Sequence, residues 1–267
     1  MHHQFYSPSE GNLKGKLLIV PVVSTANIGQ LAVDLLISSL DLHRIGIFDP
    51  RDLVPVVAAR EDDEPGITTP LELYGSQDAN FVVIQQRSPA LKSRKDEFIS
   101  DLHRFIQTSE FSAVIFLSGV DTSSRTDEQM AVPTYKLVPP GTPSWDSSPL
   151  AIVAHLPLPT YTYISQQPFP LLREGGTTEA VPLIPGGGLT RRILSSFPQQ
   201  WSTPVLSLLQ FVFEGDNQAD AQLLASVVCK LLDVSLTRNG AREIEWKHPK
   251  SWNGGLFGTP HDQTLYG

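Results

Sequence analysis

From Leu17 to Val23 the chain carries seven consecutive apolar residues, Leu-Leu-Ile-Val-Pro-Val-Val. A strand buried on one face alternates apolar with polar residues. A continuous apolar run bounded by Lys16 and Ser24 is the pattern of a strand covered on both faces. The period then changes. Ile28, Leu31, Ala32, Leu35 and Leu36 recur at helical spacing behind Asn27, a residue type suited to cap a helix. Asp34 is the only charge in that helix, so most of its circumference is expected to be covered.

The alternation continues. Ile45–Phe48 reads as a strand ended by Asp49-Pro50, Phe81–Ile84 as another, and Ala113–Leu117 as a further buried one. Between the last two, Phe98, Ile99, Leu102, Phe105 and Ile106 form the apolar stripe of a helix over Lys95–Thr108. Strands alternating with helices predict a single α/β domain with a central, largely parallel mixed sheet flanked by helices. Residues 60–70 are charged and carry Pro and Gly, an exposed loop; 139–149 and 157–178 are Pro-rich loops or insertions, and Leu150–His155 between them fits a strand. The last third reads as helical. Thr203-Pro204 opens a helix with the stripe Val205, Leu208, Leu209 and Val212, stopped by Gly215. Asp216 caps a second, striped by Leu223, Leu224, Val227, Val228, Leu231 and Leu232, and Asn239-Gly240 is a turn. The domain is expected over 1–258, its end packing through aromatics, with a flexible tail over 259–267.

Charge and cysteine content narrow the function classes. Formal net charge is −8. The densest basic cluster, Lys92, Arg94 and Lys95, runs straight into Asp96 and Glu97. A nucleic-acid partner is therefore not expected, because phosphate neutralisation needs a basic stripe. Cys229 is the only cysteine and sits among Val227, Val228, Leu231 and Leu232. That excludes an intrachain disulfide and a thiolate-rich zinc site, and marks an inert core thiol. No segment approaches the roughly 18 apolar residues of a membrane span, and no secretory signal opens the chain. These features read as a soluble intracellular protein without a membrane partner.

Catalytic signals are sparse. Pro185-Gly186-Gly187-Gly188 before Leu189-Thr190-Arg191-Arg192 is the one turn of a type that can cradle phosphate through backbone N–H groups. Arg191 stands where a dinucleotide fingerprint needs its third glycine, and no Walker lysine follows, so a tight turn passing close to another element is the favoured reading. The seven histidines form no H-x-x-x-H pair, and no G-x-S-x-G elbow occurs. Asp62, Asp63 and Glu64 read as a solvated acidic loop. Ser118-Gly119-Val120-Asp121 ends a strand where an α/β enzyme places its ligand, with no base nearby in sequence. No catalytic residue, metal or cofactor is assigned.

Four blocks carry a resemblance: Val20–Ile37 with its Asn27-Ile28-Gly29-Gln30-Leu31-Ala32 core, Ile184–Gly188, Phe211–Asn217, and Trp246–Trp252 followed by Leu256-Phe257-Gly258. In their order and spacing the chain resembles the proteasome assembly chaperones, specifically the second subunit of their two-subunit type. The resemblance implies an α/β fold similar to nucleoside phosphorylases, without catalytic activity or cofactor. It implies a heterodimer with proteasome assembly chaperone 1 on the outer face of the 20S α-ring, promoting ring assembly and blocking premature cap binding, in cytoplasm and nucleus. Asn27, Gly29, Gln30, Gly186, Gly187, Gly188, Glu214, Gly215, Asp216, Asn217, Trp246 and Trp252 are read as structural family residues. The closing Leu265-Tyr266-Gly267 looks like the hydrophobic–Tyr–any motif that proteasome caps insert between α-subunits, with Leu265 buried, Tyr266 offering ring and hydroxyl, and the terminal carboxylate meeting a lysine. Residues 139–178 do not align with the family. Two rivals stay open: a nucleoside-phosphorylase-like enzyme holding phosphate at Gly186–Gly188, and a generic interaction scaffold.

Overall fold

The computed structural model describes residues 5–8, 12–61, 64–163, 181–234 and 245–254. Its strands are β1 (Tyr6–Pro8), β2 (Leu17–Pro21), β3 (His43–Phe48), β4 (Ala58–Ala59), β5 (Ile67–Thr68), β6 (Leu71–Gly75), β7 (Phe81–Gln86), β8 (Ala113–Asp121), β9 (Thr134–Leu137) and β10 (Val205–Val212). The α-helices are α1 (Ile28–Ser39), α2 (Lys95–Thr108), α3 (Gly188–Ser195) and α4 (Gln218–Leu231). Eight strands make one sheet in the order β1-β3-β6-β7-β2-β8-β10-β9, and β4 with β5 forms a separate hairpin. The centre, β7-β2-β8-β10, is parallel, whereas both flanks are antiparallel. Pro21 lies beyond the last β2 residue paired with β7, so its missing N–H interrupts no ladder on that side.

Strand alternation splits the core in two. Leu18, Val20, Val82, Ile84, Val114 and Phe116 point to the side covered by α2 and α3, where Phe98, Leu102, Ile106 and Ile193 meet them. Leu17, Ile19, Val83, Ile115 and Leu117 point to the side covered by α1 and α4, against Ile28, Leu35, Leu36, Leu224 and Val228. The two-sided cover expected from the Leu17–Val23 run is therefore present. Cys229 is buried in the second core, and its thiol is pushed up to about 12 by burial.

Four local expectations are corrected. Val205–Val212 is a strand, not a helix, and is buried throughout, parallel to β8 from Val205↔Val114 to Val212↔Asp121. Its stripe at 205, 208, 209 and 212 matched a helix only because a two-sided strand is apolar at nearly every position. Leu206 and Phe211 fall off that stripe and still pack, on opposite faces of the sheet. Pro149–His155 is a 3-10 helix with Ser148 Oγ accepting from Leu150 N at 3.1 Å, not a strand. Asn27 occupies the cap position of α1 but makes no side-chain capping bond, because it and Ala26 are left-handed (φ 50° and 57°) in a 3-10 turn over Thr25–Asn27. Before α4, Asn217 rather than Asp216 takes the cap position, while Asp216 Oδ1 accepts from Gln218 N at 3.2 Å.

Candidate functional site

β2, β8 and β10 run parallel, so the loops leaving their carboxyl ends gather at one edge of the sheet. Ligands of open α/β sheets sit at that edge. Here it is crossed by local bonds. Ser24 Oγ donates to Val22 O (2.9 Å) and accepts from Gly119 N (2.8 Å), tying the end of β2 to β8. Glu214 Oε1 accepts from Ala26 N (2.9 Å), tying the end of β10 to the same turn. Asp121 N donates to Pro185 O (2.9 Å), bringing in the glycine turn before α3. Ser118 Oγ and Thr190 Oγ1, both buried, share a 2.7 Å hydrogen bond beneath it.

The glycines explain how closely these loops approach. A Cβ on Gly119 would collide with Thr25 O, one on Gly29 would stand 2.8 Å from Leu117 O, and one on Gly186 would collide with Thr25 Oγ1. Gly186 also has φ +73°, a left-handed conformation that favours glycine. Gln30, its amide oriented to satisfy both ends, donates to Asn27 O (3.2 Å) and accepts from Val23 N (3.1 Å). Asn217 Nδ2 donates to Gly215 O at 2.7 Å. Three of the four sequence blocks thus converge on one edge.

An open cleft of about 710 Å³ lies there, lined by Val23, Ser24, Thr25, Asp121, Gly186, Phe213 and Glu214. Among the described residues its charges are two carboxylates, and its lining holds no Lys, Arg or His. Such a lining repels phosphate rather than holding it. One of the turn's own donors is also committed, since Gly187 N donates to Ile184 O at 2.9 Å. Phe213, 68% exposed, stands at the mouth.

Beside the cleft, α1 meets β7 through a buried polar chain. Gln85 Nε2 donates to Gln30 O (3.0 Å) and to Asp34 Oδ1 (2.6 Å). Arg87 Nη1 lies 3.3 Å from the same Asp34 oxygen. Tyr74 OH donates to Glu72 Oε2 (2.7 Å), and Arg44 Nη1 donates to Glu72 Oε1 (2.6 Å). Burial pushes the Asp34 carboxyl up, opposed by Arg87 and by the Gln85 bond. Burial also pushes Tyr74 up, reinforced by Glu72. Burial disfavours the Arg87 charge, yet Asp34 and Tyr74 outweigh it and raise its pKa. Asp34 was legible as the lone charge on a covered helix; its partners, more than fifty residues away in the chain, carried no sequence signal.

The last block docks elsewhere. Trp252 is buried in the core under α1 and α4, and Trp246 packs against it in part. Lys247 N donates to Ser39 Oγ (3.0 Å), its ammonium meets Asp41 (2.7 Å), and His248 Nε2 lies 3.1 Å from Gln222 Nε2. Leu265, Tyr266 and Gly267, the Asn239-Gly240 turn, and most of the 157–178 stretch lie outside the described residues.

This parallel-centred sheet between two helical layers, with its short loops knotted at the carboxyl edge, is an architecture known from archaeal proteins. Pyrococcus furiosus PbaA, described as an archaeal homolog of proteasome-assembly chaperone, superposes with a TM-score of 0.59 at 16% identity, over 88% of this chain and 84% of that one. Pyrococcus furiosus PbaB, described as an archaeal proteasome activator, gives 0.56 at 14% identity, over 87% and 90%. At these identities the likeness is one of fold. The chain belongs to the PAC2 family, which it matches over residues 18–244. It is 32% identical to Proteasome assembly chaperone 2 of Xenopus laevis over 248 residues, 91% of each chain. It is 29% identical to the Homo sapiens protein of that name over 266 residues, 97% of each.

Proposed function

We propose that this chain is a proteasome assembly chaperone subunit that works by protein contact rather than catalysis. The observation that carries the reading is likeness over most of the chain: 32% identity to the Xenopus laevis chaperone spans 91% of both chains. The carboxyl-edge cleft is compatible with it, since its lining among the described residues presents carboxylates and neither a histidine nor a cation.

The finer reading has three parts. The chain pairs with proteasome assembly chaperone 1. The pair binds the outer face of the 20S α-ring, promotes ring formation and blocks premature cap binding. Leu265-Tyr266-Gly267 enters a groove between α-subunits, with Leu265 buried and Tyr266 supplying ring and hydroxyl. The work belongs in cytoplasm and nucleus, where α-rings are built.

Affinity purification of the tagged chain, with mass spectrometry of co-eluting proteins, tests the reading. Recovery of proteasome assembly chaperone 1 together with α-subunits in stoichiometric amounts is expected. Recovery of neither, from cells that contain both, refutes it.

A further inference from the structure

A groove of about 430 Å³ lies between α1, the carboxyl end of β7 and the segment leading into β4. Gln85 and Arg87 are among the residues that line it. Gln85 is 1% exposed, and both amide hydrogens are committed, to Gln30 O and Asp34 Oδ1. Those two acceptors fix which way the amide points. Its Oε1 is left buried without a partner, and so is Nε of Arg87. An orphaned acceptor near the end of β7 and an orphaned donor just beyond it are complementary hydrogen-bonding groups. The nearby charges are already paired, Asp34 with Arg87 and Glu72 with Arg44.

The outer wall is apolar. Val54, Val56, Val57 and Ile67 are four of the nine large hydrophobic residues exposed among the described residues, and they fall within one short stretch. Clustering of this kind marks a contact surface rather than scattered exposure. The stretch is anchored: Val54 N donates to Pro89 O (3.0 Å), Ser88 Oγ donates to Val54 O (2.6 Å), and Ala58 and Ala59 pair with Thr68 and Ile67. Val57 lines the groove and is still 70% exposed, so this wall is open to solvent and suits a chain lying across it better than a small molecule enclosed by it.

We propose that this groove docks a segment of a partner protein that inserts an Asn or Gln carboxamide between Gln85 and Arg87 and lays aliphatic neighbours on Val56, Val57 and Ile67. The carboxamide NH₂ donates to Gln85 Oε1, and its oxygen accepts from Arg87 Nε. A carboxylate would face Gln85 Oε1 and Asp34 with no hydrogen to give. An ammonium would face the Arg87 guanidinium. The inference is independent of whether the partner is proteasomal.

The test uses the full chain and four capped tripeptides, acetyl-Val-X-Leu-amide with X as Asn, Asp, Lys or Ala, titrated by NMR. The Asn peptide should bind in the millimolar range, about tenfold more tightly than the other three, and shift the Gln85 and Val57 signals. Val57→Asp, at an exposed position, and Gln85→Leu should each weaken it about tenfold. The proposal is overturned if no saturable shift appears by about 10 mM, if the Ala or Asp peptide binds equally well, or if the shifts lie elsewhere. Sedimentation that shows the chain self-associating through Val57 would give the wall to a second copy and overturn it as well.

Discussion

Gly119 sits where two chain segments touch. Its N–H donates to Ser24 Oγ, and the space a side chain would need is taken by Thr25 O. Gly119→Ala forces backbone against backbone and should cost about 1–3 kcal/mol, the range for overpacking. Ser24→Ala acts on the same contact from the other side by orphaning the Gly119 N–H, at about 1–3 kcal/mol. The two changes share one loop, so the double variant should lose less than the two losses added. Urea unfolding of the four proteins checks this; full additivity would mean the loop is not the common cause. His103 is a second residue with a measurable signature. It is 5% exposed, stacks on Phe197 at 4.7 Å and meets Trp201 at 5.3 Å. Burial pushes it down to about 4, against a smaller opposite pull from the Ile193 backbone. As pH falls below 6.5 the unfolded chain takes up a proton that the folded chain refuses until about 4, so stability drops across that window. The full loss from this group is about 3 kcal/mol. His103→Phe should remove that part of the pH slope; unchanged slopes would show that His103 does not refuse its proton.

At the scale of elements, the segment 245–254 separates packing from charge. Trp252 is buried against the core under α1 and α4, whereas the Lys247–Asp41 pair is mostly exposed. Trp252→Ala should cost about 3–5 kcal/mol, and Lys247→Ala under about 1 kcal/mol; equal effects in thermal unfolding would contradict the docked position of Trp252. The same contrast explains which elements could be read in advance. α1 and α2 are long, periodic and covered on a definite face, so spacing alone located them. β2 was legible because two-sided burial leaves an apolar run too short for anything but a strand beside a turn. β10 is likewise buried throughout, yet Thr203-Pro204 in front of it resembles a helix start, and eight apolar-rich residues fit either period. What decides for strand is the unpaired edge of β8, which sequence does not display. β6 went unread because Glu72 in its middle looks exposed; Arg44, from a neighbouring strand, neutralises it. The carboxyl edge was half legible. Its glycines announced close approach, but what they approach, Thr25 and Leu117, is set by bonds such as Ser24 to Gly119, 95 residues apart.

For the whole molecule, the α-ring binding proposed above raises the question of how a folded body and a three-residue motif would share it. Burying Leu265 contributes roughly 1.5–3 kcal/mol, and a hydrogen bond from Tyr266 about 0.5–1.5 kcal/mol. Fixing three backbone residues costs about 1–2 kcal/mol each. The balance is near zero, so a free peptide of this sequence should neither bind measurably nor compete. In the proposed complex the motif would contribute only when the body, seated on the ring, holds it at high effective concentration, which is where multivalent gain arises. Deleting Leu265–Gly267 should therefore leave the urea midpoint of the body unchanged and reduce retention of α-subunits about tenfold, equivalent to about 1.4 kcal/mol. Undiminished retention after the deletion would assign the binding to the body alone. Competition by the free peptide would make the motif self-sufficient, and the body would then be a carrier rather than a co-binder.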